Sequence, residues 1–118
     1  MMSNKGKDIQ ERAYRFSLGV VRTTRKFPRN SEGFAIASQL IRSSTSIPAN
    51  LFEGSAGVSR KDFVQFLSYA KKSAVETSFW LMFSKDLGIL EEKEYRAFSD
   101  ECDQLTRIVS RIILNSKI

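Results

Sequence analysis

Histidine is absent from this chain, cysteine occurs once, proline twice and glycine six times. Without histidine there is no imidazole base, no imidazole metal ligand and no serine-histidine triad. A single cysteine rules out an internal disulfide and every multi-cysteine zinc or iron-sulfur site. Scarce glycine and proline argue against a turn-rich β protein. The longest apolar run, Phe79 to Phe83, is far too short to cross a bilayer. The opening MMSNKGKD is charged with no apolar stretch behind it, so the expectation is a chain without a signal peptide that stays in the cytoplasm, away from membranes. What remains is ordinary for one globular domain: 118 residues, 42% hydrophobic and 27% charged, with a formal charge of +6.

Three breaker regions divide the chain into four segments: Phe27-Pro28-Arg29-Asn30-Ser31, Gly54 to Ser59, and Leu87-Gly88-Ile89-Leu90. In the last segment Tyr95, Phe98, Cys102, Leu105, Val109 and Ile112 follow a 3,4,3,4,3 spacing, which aligns them on one helix face. The first repeats the pattern with Ile9, Ala13, Phe16, Val20 and Phe27, and Pro28 forbids helical geometry just before itself. The third opens on Ser59 with Asp62 as a weak capping-box variant, carries Phe63, Leu67, Ala70, Ala74 and Leu81, and stops at Gly88. At 1.5 Å per residue it would be about 40 Å long.

The second segment keeps helical spacing at Ala37, Leu40, Ile47 and Leu51, yet Pro48 removes the bond to the Ser44 carbonyl. Either the helix stops near Thr45 or it continues with a kink. The hydroxyls of Ser43, Ser44, Thr45 and Ser46 can take up freed backbone groups, which favours the kinked, continuous helix. The expected fold is all-α: an antiparallel up-down-up-down four-helix bundle with its second helix kinked at Pro48. Its expected limits are a disordered tail over 1–7 and one bundle domain over 8–118.

The charge is unevenly placed. Residues 1–30 hold eight basic and two acidic residues, equal to the whole excess, while the other three segments cancel. Arg15, Arg22 and Lys26 project opposite the Phe16 and Val20 stripe with Arg12 beside them and Arg25 next in the chain, a basic stripe about 20 Å long. These five are the candidate nucleic-acid contacts, in a mode that weakens steeply with salt. A solvated helix face that keeps the protein soluble explains the same charges, and no stacking aromatics or known nucleic-acid motif accompany them.

The third segment carries a second apolar stripe, Val64, Val75, Phe79 and Met82, turned roughly 120° from its core stripe. It is the candidate oligomer interface, with closed symmetry as the default form, unless a broad helix buries it against two neighbours. On the second helix Gln39, Arg42, Ser46, Asn50 and Glu53 form a polar side, read either as a surface or pore shared in an oligomer or as a solvent face with local pairs. Asn50 with Glu53 is not a convincing dyad, and no nucleophile, metal cluster or phosphate-cradling loop accompanies it. Cys102 stands in core register. No catalytic residue, cofactor or metal is therefore assigned, and the expectation is a protein that is not an enzyme.

The stretch Ser46-Ile47-Pro48-Ala49-Asn50-Leu51-Phe52-Glu53-Gly54 is similar to the S-I-P-A-N-I-A-E-G signature of the bacterial four-helix bundle family encoded by intervening sequences in 23S ribosomal RNA genes. The motif residues are Ile47, Pro48, Ala49, Asn50, Glu53 and Gly54. Gln39 to Ser44, Arg60 to Ser73, Glu76 and the Leu87-Gly88-Ile89-Leu90 turn also resemble the family, so the likeness spans all but about the first eight residues. Departures are Leu51-Phe52, where Ile-Ala is common, and Lys72, where glycine is frequent. The resemblance implies a barrel-shaped homopentamer of four-helix bundles, with no catalytic residues to carry over. A related accessory protein of diversity-generating retroelements is similar in fold and binds nucleic acid with a reverse transcriptase. Two functional readings stand: a homo-oligomer binding RNA or single-stranded nucleic acid through basic stripes, or a protein-interaction scaffold without direct nucleic-acid binding.

Overall fold

The computed structural model describes residues 4–57 and 59–116, with side chains from residue 7 onward. Four helices follow one another: α1 (Asn4–Thr24), α2 (Ser31–Ser55), α3 (Arg60–Asp86) and α4 (Glu92–Ser116). Each packs on its neighbour in sequence, α1 also meets α4, and the diagonal pairs do not approach. That is the square cross-section of an up-down-up-down bundle, 46 Å long and 22 × 18 Å across.

The starts and stops have local causes. Asn30 caps α2 by accepting from the Gly33 N–H at 2.8 Å, and Ser59 caps α3 by accepting from the Asp62 N–H at 3.1 Å. Gly88 takes φ +77° after α3. The chain then reverses with Gly88 N–H donating to Lys85 O (2.9 Å) and Ile89 N–H to Ser84 O (2.9 Å), a Schellman closure that L side chains resist. Helix α1 opens at Asn4, so residues 4–7 belong to a helix rather than to the expected tail; residues 1–3 lie outside the described residues.

Helix α2 continues through Pro48. The hydroxyl run behaves differently from the expectation: Thr45 Oγ1 donates to Ile41 O (2.7 Å) and Ser46 Oγ to Arg42 O (2.9 Å), and not to the Ser44 carbonyl that proline leaves free. Asn50 Nδ2 donates to Ser46 O at 2.8 Å, giving the turn around the proline a side-chain bond.

The expected apolar faces are the buried ones. Ile9, Ala13, Phe16 and Val20 meet Leu40, Ile47, Leu51, Phe63, Leu67, Ala70, Ala74, Leu81, Cys102, Leu105 and Val109 in one core. Ser43, Ser44, Thr77 and Ser84 are also buried. Thr77 Oγ1 donates to Ser73 O (2.8 Å) and lies 3.0 Å from Ser43 Oγ, linking α2 to α3 inside the core. Ser44 Oγ, one turn before Pro48, is buried with no hydrogen-bond partner among the described residues. Small residues bring α2 and α3 together, and a Cβ on Gly54 would stand 3.1 Å from Phe66 Cβ.

Cys102 is inert in this setting. Its thiol donates to Ala74 O at 3.2 Å, and desolvation by burial, reinforced by the Asp103 charge, pushes its pKa up to about 12. The unfolded thiol ionises from about pH 9, so the folded state loses stability as pH rises from about 9 towards 12. Alkylation by iodoacetamide at pH 8 is expected to be slow in the native protein and fast in denaturant. Equal rates in both would contradict the buried thiol.

Candidate nucleic-acid interface

Helix α1 and the turn that follows it present the five predicted cations in three different circumstances. Arg12 reaches across to α4, where Nε donates to Glu101 Oε2 (3.1 Å) and Nη2 to Glu101 Oε1 (2.7 Å) and Gln104 Oε1 (3.0 Å). This fork raises the guanidinium pKa, chiefly through the hydrogen bond to Glu101, and makes Arg12 a strap between helices. Lys26 makes a second strap, with Nζ 2.6 Å from Glu94 Oε2, and its pKa is raised mainly by that hydrogen bond. Arg15 pairs within α1, Nη2 to Glu11 Oε1 at 2.6 Å, an exposed pair of small energetic worth.

Arg22 and Arg25 differ. Both are exposed, and neither side chain has a partner among the described residues. The five-residue stripe of the sequence is thus divided by the fold: two residues turned towards α4 and bonded there, one in a local pair, and two open to solvent.

A groove of about 670 Å³ lies between α1 and α2, lined by Tyr14, Leu18, Val21, Thr45, Pro48 and Phe52 with Ala49, and with Lys7, Gln10 and Glu11 towards one end. Tyr14 is 58% and Phe52 66% exposed. The sequence motif is therefore two-sided: Ile47, Leu51 and Gly54 face the core, whereas Pro48, Ala49 and Phe52 line the groove. Asn50 is half-buried and Glu53 exposed. Sequence reasoning missed this groove, although Tyr14, Leu18 and Val21 at i, i+4 and i+7 form a second stripe on α1 that would have revealed it.

The α3 stripe is mostly on the surface, with Val75 56%, Phe79 46% and Met82 44% exposed. Val64 departs from it, being half-buried against the core. Phe83 joins the exposed face, its ring centroid 5.8 Å from that of Phe79 and 5.9 Å from Trp80. The polar side of α2 is bound up locally: Arg42 donates to Gln39 Oε1 at 2.9 Å and to Glu76 of α3. Glu76 also accepts from Trp80 Nε1 at 3.1 Å. The Arg42 and Trp80 hydrogen bonds, Arg42 first, hold the Glu76 carboxyl below its usual range. Among the described residues no group of three histidine, cysteine or carboxylate side chains could hold a metal ion, and no helix is long and apolar enough to cross a membrane.

Comparison with known proteins places these features. A family model described as 23S rRNA-intervening sequence protein matches residues 5–111. A crystal structure of a protein of unknown function from the S23 ribosomal protein family of Bacteroides thetaiotaomicron is similar at a TM-score of 0.87 and 26% identity, covering 92% of this chain and 97% of that one. No curated protein matches the chain.

Proposed function

The chain belongs to the 23S rRNA-intervening sequence protein family, and on that footing we propose a non-enzymatic, cytoplasmic homo-oligomer that binds RNA or single-stranded nucleic acid through the basic surface of α1. The observation that carries the reading is the open pair Arg22 and Arg25, in a first segment that holds the chain's entire positive excess. Arg12, Arg15 and Lys26 supply field, whereas Arg22 and Arg25 supply contacts, because a guanidinium already bonded to a carboxylate gains less from a phosphate. Repeating the pair around an assembly raises avidity without new contacts.

Filter binding of a structured RNA at several salt concentrations tests this. The wild-type protein is expected to bind with a steep salt dependence. Arg22→Glu with Arg25→Glu should weaken binding at least tenfold at low salt and flatten the slope by about one to two. Equal binding by both proteins would refute the reading.

A second reading, a protein-interaction scaffold, is favoured by the exposed Val75, Phe79, Met82 and Phe83 face. The same face serves self-association in the first reading, and the family resemblance suggests a pentamer. Light scattering should give a mass several times 13.4 kDa for the wild type and a smaller one for Phe79→Lys. A monomer at high concentration would remove the oligomer. A stable protein partner with no salt-dependent RNA signal would select the scaffold.

A further inference from the structure

We propose that the groove between α1 and α2 is a docking site for the unpaired bases of a single-stranded nucleic acid, with Tyr14 and Phe52 as stacking platforms and Lys7, Arg22 and Arg25 on the phosphates. The inference rests on the nucleic-acid reading and assigns it a site.

Three observations converge on this groove. First, its volume of about 670 Å³ falls within the range of ligand clefts, and its walls are apolar side chains of Leu18, Val21 and Pro48. Secondly, its two aromatic residues are the more exposed partners of the wall, and neither ring stacks on another aromatic. An aromatic face beside an apolar wall suits a base, and because every base has a π-face the fit is tolerant of sequence. Thirdly, cations stand at both ends. Lys7 lines one end, and Arg22 follows Leu18 by one helical turn and Val21 by one residue at the other, about 22 Å along the helix from Lys7. None of Lys7, Arg22 and Arg25 has an ion-pair partner among the described residues. The one carboxylate at the groove, Glu11, is already held by Arg15.

Charge decides between possible occupants. The ends of the groove carry Lys7, Arg22 and Arg25 without carboxylate partners among the described residues, so a cationic occupant would be repelled there. Like charges across an interface oppose association. A polyanion has the complementary sign. Duplex nucleic acid keeps its base faces stacked inside, so only unpaired bases can reach the rings.

Fluorescence anisotropy of dye-labelled oligo-U, oligo-dT and a hairpin duplex, each about a dozen nucleotides long, tests the assignment on the full chain. The wild type should prefer both single strands to the duplex. Tyr14→Leu with Phe52→Leu should weaken single-strand binding at least about fivefold per ring and leave the salt slope unchanged. Tyr14→Phe with Phe52→Tyr, which keeps both rings, should bind like the wild type. Both positions are exposed, so the variants should melt with the parent. Undiminished binding by the leucine pair, with binding by Arg22→Gln/Arg25→Gln still weakened, would overturn the groove and leave the basic surface standing. Absence of salt-dependent binding by the wild type would overturn both. A leucine pair that sediments as a smaller species with unchanged affinity would show another copy in the groove and overturn the proposal.

Discussion

Leu67→Ala is expected to remove about 2–5 kcal/mol of stability, a large share of the roughly 5–15 kcal/mol that holds a domain together. Leu67 has no exposed surface and packs against α2, its Cδ1 only 3.3 Å from where a Cβ on Gly54 would lie. Truncation removes the transfer energy of the lost methyl groups and leaves a cavity. The wall cannot collapse easily, because Gly54 already lets α2 approach the side chains of Phe66 and Leu67 closely. Urea denaturation should show a lower midpoint with an unchanged slope. Leu114→Ala, at a side chain 66% exposed, provides the contrast, with a change within about 0.5 kcal/mol. Similar losses at both positions would mean that the bundle core is not where the structure puts it.

Gly33→Ala should destabilise by about 1–3 kcal/mol or more, although alanine in a helix ordinarily gains about 1 kcal/mol over glycine. The reversal of sign has a geometric cause. A Cβ at position 33 would lie 1.9 Å from the Pro28 carbonyl oxygen, which is backbone and cannot rotate away. The segment from Pro28 to Asn30 would have to move, and with it the cap that Asn30 Oδ1 gives the Gly33 N–H. Thermal unfolding followed by circular dichroism should show the variant melting below the wild type and below Asn30→Ala, which loses only the cap at about 1 kcal/mol. A variant as stable as the wild type would contradict the close approach.

The core register was legible because apolar spacing on a helix maps directly onto a buried face. Ile9, Ala13, Phe16 and Val20 fell where their spacing put them, as did Leu40, Ile47, Leu51, Phe63 and Leu67. At the end of α4, Ile113 rather than Ile112 is the buried residue, since a strict 3,4 alternation drifts against a straight helix of 3.6 residues per turn. Buried Ser43, Thr77 and Ser84 were hidden because polar residues read as surface. Two of them, Thr77 and Ser84, donate to the carbonyl four residues back and so enter the core without an unmet donor. The fate of the arginines was illegible for another reason. Whether Arg12 faces water or Glu101 depends on α1 lying beside α4, a relation between residues 89 apart that no local pattern encodes. The family motif, by contrast, was visible as a string, and its spacing already put Ile47 and Leu51 on the core side; that Pro48, Ala49 and Phe52 wall a groove needed α1 in place beside them.

The connectivity also sets an order of assembly on the ribosome. Three of the four helix contacts join neighbours through short connections, at residues 25–30, 56–59 and 87–91, and such local pairs form in microseconds to milliseconds. Only the contact of α1 with α4 joins the ends. At about 5–20 residues per second, Glu101 is added roughly 4–18 s after Arg12. During that interval α1 and α2 can pair and form their groove while Arg12 and Lys26 still lack their carboxylates. The synthesis of α4 supplies Glu101 and Glu94, and with them the partners that neutralise Arg12 and Lys26.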